Sequence, residues 1–184
     1  MPRWINLFRN SLKKDVDTRL RAQFLEGAEA VTDSASPVKK AAWALEVMGR
    51  MESCLDEPHR VSILEACGRD CIGTSVLEKA RSIRASSRSL EVFLDWLNQN
   101  HLGGGNLAWR DGAIDASYPR CYCGMVNHTR KPFSATYCNC SRGWFLSLFE
   151  NSLVVPVRVE LVQSIIQGAP DCRFRIHLPN NFNW

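Results

Sequence analysis

Gly103-Gly104-Gly105-Asn106-Leu107-Ala108-Trp109-Arg110-Asp111-Gly112-Ala113-Ile114-Asp115-Ala116 is the stretch across which the periodicity of the chain changes. Leu107 to Arg110 and Ala113 to Ala116 flank Asp111-Gly112, and Asp-Gly between two such runs is among the strongest short-range hairpin signals, because both turn residues need positive φ. Before the glycines, apolar residues recur at helical spacing; after them the pattern turns to strands. The glycines lack the G-x-G-x-x-G and G-x-x-x-x-G-K arrangements, so they read as a linker and not as a phosphate loop.

Upstream, Leu12, Val16, Leu20, Phe24 and Leu25 stand among Lys, Arg, Asp and Glu and predict an amphipathic helix from Trp4 to about Val31. Ser36-Pro37 is a cap followed by a first-turn proline, opening a second helix through Ala41, Ala42, Leu45, Met48 and Met51. Asp56-Glu57-Pro58 repeats that signal and leads into Cys67-Gly68-Arg69-Asp70-Cys71, and two shorter helices follow Thr74 and Ser87. Residues 1–102 thus form a helical region.

Downstream, Tyr118 to Val126 reads as a continued strand, and Ser141 as the cap of a helix through Trp144, Phe145, Leu148 and Phe149. Pro156 precedes the β-branched run Val157 to Ile166, a turn at Gly168 to Asp171 reverses the chain, and Cys172 to Leu178 alternates as a returning strand. The expected fold class is α+β: an antiparallel sheet region over 103–184 packed on the helices and forming one continuous domain with them.

The 184 residues are 45% apolar, enough for a continuous core, with 23 basic and 19 acidic residues interspersed to a net charge of +4. That pattern has no basic block of the kind that binds nucleic acid, so no direct nucleic-acid binding is expected. Arg3 and Asn6 interrupt the apolar residues at the N-terminus, giving no signal-peptide core, and no later run reaches the ~18 apolar residues of a membrane span. A cytoplasmic protein without a membrane anchor is expected, one Asn127-His128-Thr129 sequon notwithstanding. In that reducing setting, clustered cysteines point to metal or reactivity more often than to disulfides.

Five of the eight cysteines lie between Cys121 and Cys172, in the pairs Cys121/Cys123 and Cys138/Cys140 and as Cys172 itself. In a strand, residues two apart face one side about 6.5–7 Å apart, so each pair would present two thiols to one pocket. Cys67 and Cys71 share a helix face, and their joining the others depends on packing. Cys54 reads as structural, since a lone cysteine is most often a small buried hydrophobe.

The order Cys138, a short helix with Gly143 and Phe149, a strand with Glu160, and Gly168-Ala169-Pro170-Asp171-Cys172-Arg173-Phe174 resembles the 4-vinyl reductase domain. That resemblance implies an α+β ligand pocket with a zinc site, Cys138 and Cys172 matching the first and last cysteine ligands and Glu160 standing near the acidic one. Ser164 occupies the position of the middle cysteine, and Cys140 is the substitute the sequence offers. The helical half and Cys121 to Gly124 look like an uncharacterised bacterial family sharing only this end. A fainter likeness joins the same pattern to proteins described as amino-thiazoline-carboxylate hydrolases.

Three functional readings stay open. The first is a binding or sensing domain for a small apolar or aromatic molecule lined by Trp144, Phe145 and Phe149, with zinc on Cys138, Cys140, Cys172 and Glu160, and with a second copy or another protein as partner. The second is a hydrolase of a small C–N or C–S substrate, with Cys121 or Cys123 as nucleophile, His128 as base, and Arg120, Arg130 and Lys131 lowering the thiol pKa. The third is an iron-sulfur or redox protein using Cys67, Cys71 and the C-x-C pairs. Tyr122 and Tyr137, alternating with cysteines, are expected in the core, while His177, His59 and His101 read as surface or capping residues. No G-x-S-x-G elbow or H-E-x-x-H helix is present, which argues against common serine hydrolases and zincins.

Overall fold

The computed structural model of the chain describes residues 1–129 and 133–184. Among the described residues, seven α-helices precede or punctuate the sheet: α1 (Arg3–Asp15), α2 (Thr18–Phe24), α3 (Pro37–Cys54), α4 (Glu57–Cys71), α5 (Thr74–Ser86), α6 (Leu90–Gln99) and α7 (Asn139–Leu153). The strands are β1 (Leu107–Arg110), β2 (Ala113–Tyr118), β3 (Arg158–Gln163) and β4 (Cys172–His177). The fold is α+β, with a four-stranded antiparallel sheet in the order β1-β2-β4-β3.

Local chemistry explains where most elements start and stop. Ser36 Oγ accepts from the Lys39 amide at 3.2 Å and Asp56 Oδ1 from the His59 amide at 2.9 Å, so α3 and α4 begin at their expected caps. The amphipathic run expected as one helix to Val31 is broken instead: Val16 turns extended, and Asp17 caps α2 by accepting from Arg19 and Leu20. Asp111 and Gly112 both take positive φ, and Arg110 pairs with Ala113 across the hairpin.

The strand expected from Tyr118 to Val126 stops at Tyr118. Pro119 follows, which has no amide proton to continue the ladder, and the chain then turns, with the Val126 and Asn127 amides both donating to the Cys123 carbonyl. Cys121 and Cys123 therefore sit on irregular backbone. Helix α7 begins two residues before Ser141, with Cys138 at its N-cap.

Helix α7 lies between α4 and the sheet and is buried around most of its circumference, through Phe145, Leu146, Leu148, Phe149 and Leu153. Two glycines set its distance from α4. A Cβ at Gly68 would stand 1.8 Å from the Cys140 carbonyl oxygen, and one at Gly143 would stand 2.0 Å from the Glu65 carbonyl oxygen, so the two backbones touch. Arg69 of α4 clamps the crossing, donating to Glu150 of α7 at 2.5 Å and to Glu65 at 3.4 Å. One apolar cluster joins α1, α3 and α4 to Met125, Val126, Phe133 and Tyr137; another joins α5, α6 and α7 to Phe174, Ile176 and the rest of the inner sheet face.

The three glycines are a packed corner and not a free linker. All three have positive φ, Gly103 is buried against Leu107, and a Cβ on Gly104 would come 2.3 Å from the Tyr118 ring. Among the described residues, no helix is long and apolar enough to cross a membrane.

Candidate cysteine-lined cavity

Where α1, the glycine corner, the loop after β2 and the start of α7 meet, they line an open cavity of about 850 Å³. Aromatic groups from different elements form much of its wall: Trp4 from α1, Tyr118 from β2, Tyr137 from the loop before α7, and Trp144 from α7. Six thiols line it as well, on Cys71, Cys121, Cys123, Cys138, Cys140 and Cys172. Cys67, fully buried, is hydrogen-bonded to Cys140 from behind that wall.

The Cys138/Cys140 pair does not act as strand neighbours. At a helix start, residues two apart point roughly 200° apart at ~3.6 residues per turn, so the two thiols part company. Cys138 meets Ser164, whose side chain hydrogen-bonds it, and Cys140 turns to α4, where Cys67 and Cys71 lie one turn apart and both hydrogen-bond it. Trp4 Nε1 donates to Cys140 Sγ at 3.4 Å, and the Ile165 amide donates to Cys172 Sγ at 3.4 Å. Cys123 Sγ and Tyr137 Oη are 3.3 Å apart.

Glu160 is a correction to the expected metal set. On β3 it alternates with the buried Val159 and points to the outer sheet face, where it meets His177 Nε2 at 3.4 Å. Cys172, Phe174 and Ile176 of β4 face inward, so Glu160 and Cys172 are on opposite faces. With Cys140 committed to α4, the four expected zinc ligands do not converge. Among the described residues, no group of three or more His, Cys, Asp or Glu side chains is arranged to hold a metal ion, for zinc or for a cluster.

The six thiols of the cavity wall are held neutral at pH 7. Burial pushes Cys121 up to about 11 and Cys138 up to about 12, and raises Cys123 and Cys172 in the same sense. Hydrogen bonding within the triad raises Cys140 through Cys67 and Cys71 through Cys140, with burial adding to both. Burial likewise raises the Tyr118 and Tyr137 hydroxyls. The activation expected at Cys121 and Cys123 is thus reversed. Arg120 stacks over Tyr122, its guanidinium carbon 5.1 Å from the ring centroid, and Arg130 and Lys131 lie outside the described residues. His128 is exposed and, among the described residues, makes no hydrogen bond to either cysteine.

Of the three aromatics expected to line a pocket, Trp144 does. Phe145 and Phe149 are fully buried core residues stacked at 6.3 Å, and Phe145 supports the pocket from behind by stacking on Tyr118 at 5.6 Å. Tyr137 is in the core as expected, whereas Tyr122 is 51% exposed at the cavity rim. Sequence reasoning missed Trp4, Tyr118 and Gly104 as wall residues. Pro119 was the available signal for Tyr118, since it ends the strand there and frees the following loop to fold over the cavity.

One labelling outcome follows. Cys54 is the exposed thiol among the described residues. At pH 7 iodoacetamide is expected to modify Cys54 at least about tenfold faster than the other seven thiols, and a Cys54→Ala variant should show only slow labelling, followed by peptide mass spectrometry. A second fast site at Cys121 or Cys123 would contradict the neutral state assigned to them.

The family model described as a family of unknown function (DUF6144) matches residues 6–184, and the chain belongs to that family. No curated protein matches the chain. Among solved structures it is similar in fold to the crystal structure of a trafficking protein particle complex subunit 3 from Naegleria fowleri covalently bound to palmitic acid. The TM-score is 0.54 at 14% sequence identity, over 81% of this chain and 100% of that one. At that identity the likeness concerns the fold alone.

Proposed function

We propose that this member of a family of unknown function is a small-molecule-binding protein that holds an apolar chain or ring in the cysteine-lined cavity. The cavity carries the reading: about 850 Å³ lies within the ~300–1,000 Å³ span of ligand pockets, and five aromatic rings and six neutral thiols stand in its wall. A neutral thiol packs as a small, polarisable hydrophobe, so six of them make an apolar lining and not a polar one. The similarly folded trafficking subunit is covalently bound to palmitic acid, which supports an acyl chain as the kind of body held here. That protein's place in a particle complex likewise supports a protein partner for this chain, and eight unpaired thiols fit a reducing, cytoplasmic setting.

The reading does not draw on zinc at Cys138, Cys140, Cys172 and Glu160, which do not converge. A nucleophile at Cys121 or Cys123 gains no support from thiols held neutral.

The test is titration with 1-aminoanthracene, an uncharged apolar fluorophore. Saturable, blue-shifted fluorescence is expected at one site per chain. Val76→Trp, which enlarges a half-buried wall residue, should weaken binding at least about tenfold while leaving the thermal transition unchanged. Absence of saturable uptake by the unaltered protein, or uptake indifferent to V76W, would overturn the reading.

A further inference from the structure

We infer that the molecule held in this cavity carries an anionic head, a carboxylate or phosphate monoester, placed at the mouth while its apolar body lies inside. The inference rests on the binding reading above and assigns the chemical class of its ligand.

The lining is segregated by depth. Trp4, Met125, Val126, Tyr137, Cys138 and Cys172 are buried, and among the described residues no charged one belongs to the buried lining. The charged side chains belong to the accessible rim: Arg3, Lys40 and Arg120, with Asp33 as the carboxylate and His101 beside the glycine corner. Asp33 is already engaged, its Oδ2 lying 3.0 Å from the N-terminal amino group.

The three cations have no such partner among the described residues. Arg3 donates to the Asp70 carbonyl at 3.3 Å, Lys40 to the Asp33 carbonyl at 2.7 Å, and Arg120 lies over the Tyr122 ring. These contacts fix where the side chains point without cancelling their charge, and none of the three forms an ion pair with a carboxylate among the described residues. The arginines of the α4–α7 crossing and of the outer sheet face, by contrast, do meet carboxylates: Arg69 meets Glu150, Arg142 meets Glu65, and Arg173 meets Asp171.

An apolar wall behind uncompensated cations concentrates positive potential at the opening. An entering anion keeps its head at the exposed rim, where Arg120 presents a planar fork suited to two oxygens, and leaves the apolar interior to the tail. The arrangement also opposes the reverse orientation, because a charged head among neutral buried thiols would lose its hydration without a partner.

Competition against 1-aminoanthracene at pH 7.5, below micelle-forming concentrations, tests this with dodecanoate, dodecyl phosphate and dodecan-1-ol, which share one chain. At least one of the two anions is expected to displace the probe at a concentration about tenfold lower than the alcohol does, as three exposed charge contacts allow. Which anion does so identifies the head. The preference should shrink severalfold between 50 and 500 mM NaCl, roughly as screening demands, and should disappear in the triple variant Arg3→Gln, Lys40→Gln, Arg120→Gln while dodecan-1-ol displacement stays unchanged. Equal displacement by all three compounds, or a preference that survives both salt and the triple variant, overturns the anionic head and leaves the cavity reading standing. Failure of the unaltered protein to take up 1-aminoanthracene overturns the cavity reading and this inference with it.

Discussion

Replacing Gly68 or Gly143 by alanine is expected to cost at least about 3 kcal/mol of folding stability, or to prevent folding. Each new methyl would lie within 2.0 Å of a carbonyl oxygen on the facing helix, and that oxygen belongs to backbone, which has no rotamer to change. Relief requires α4 and α7 to separate, and separation also pulls Cys140 from Cys67 and Cys71 and lengthens the Arg69–Glu150 contact. Urea denaturation measures the loss. Gly49→Ala is the control: Gly49 is exposed within α3 with nothing near its would-be Cβ, so alanine there should add about 0.5–1 kcal/mol through helix propensity. Wild-type stability in G68A and G143A would mean that the two helices do not cross in contact.

A steep loss of stability above pH 9 is the second large effect. An unfolded thiol titrates near 9.0, whereas the folded chain holds Cys121 to about 11 and Cys138 to about 12. Below pH 9 both states keep their protons and the stabilisation is complete. As pH rises, the unfolded chain releases protons that the folded chain retains, so the unfolding free energy falls until the folded thiols ionise. Each such thiol contributes a slope of up to about 1.4 kcal/mol per pH unit, which over the Cys138 interval amounts to about 4 kcal/mol. Urea midpoints under reducing conditions should therefore drop between pH 9 and about 11, and Cys138→Ala should drop less steeply from a lower start. A midpoint flat from pH 8 to about 10.5 would remove the buried-thiol account.

The sequence made the helical caps, the Asp111-Gly112 hairpin and the inward alternation of Cys172, Phe174 and Ile176 legible, because each is set by residues a few positions apart. The rest was illegible where composition outweighs a local cue or where the deciding contact is distant. Pro119 was enough to end β2, yet Tyr118 to Val126 read as a strand from its composition. Cys138 and Cys140 have the spacing of strand neighbours but straddle a helix start, and that one difference of period sends their thiols to different partners. Glu160 has the wrong parity for the inner face, which becomes visible only once its pairing with Arg175 is known. The glycine contacts of α4 with α7 join residues more than seventy positions apart, and α7 itself, buried on most sides, offers no amphipathic stripe to read. The cavity shares that limit, since Trp4, Cys71, Tyr118 and Cys172 come from four separate elements.

The register slip in β3 bears on how the protein behaves in a crowded solution. β3 borders the sheet, and its pairing with β4 shifts between Leu161 and Gln163. A bulge there twists a border strand away from flatness, and exposed Arg158 and Glu160 place charge along the same short edge. A neighbouring molecule adding strand by strand would meet a kinked and charged template only a few residues long, so ordered fibril growth from this side is interrupted before it can begin.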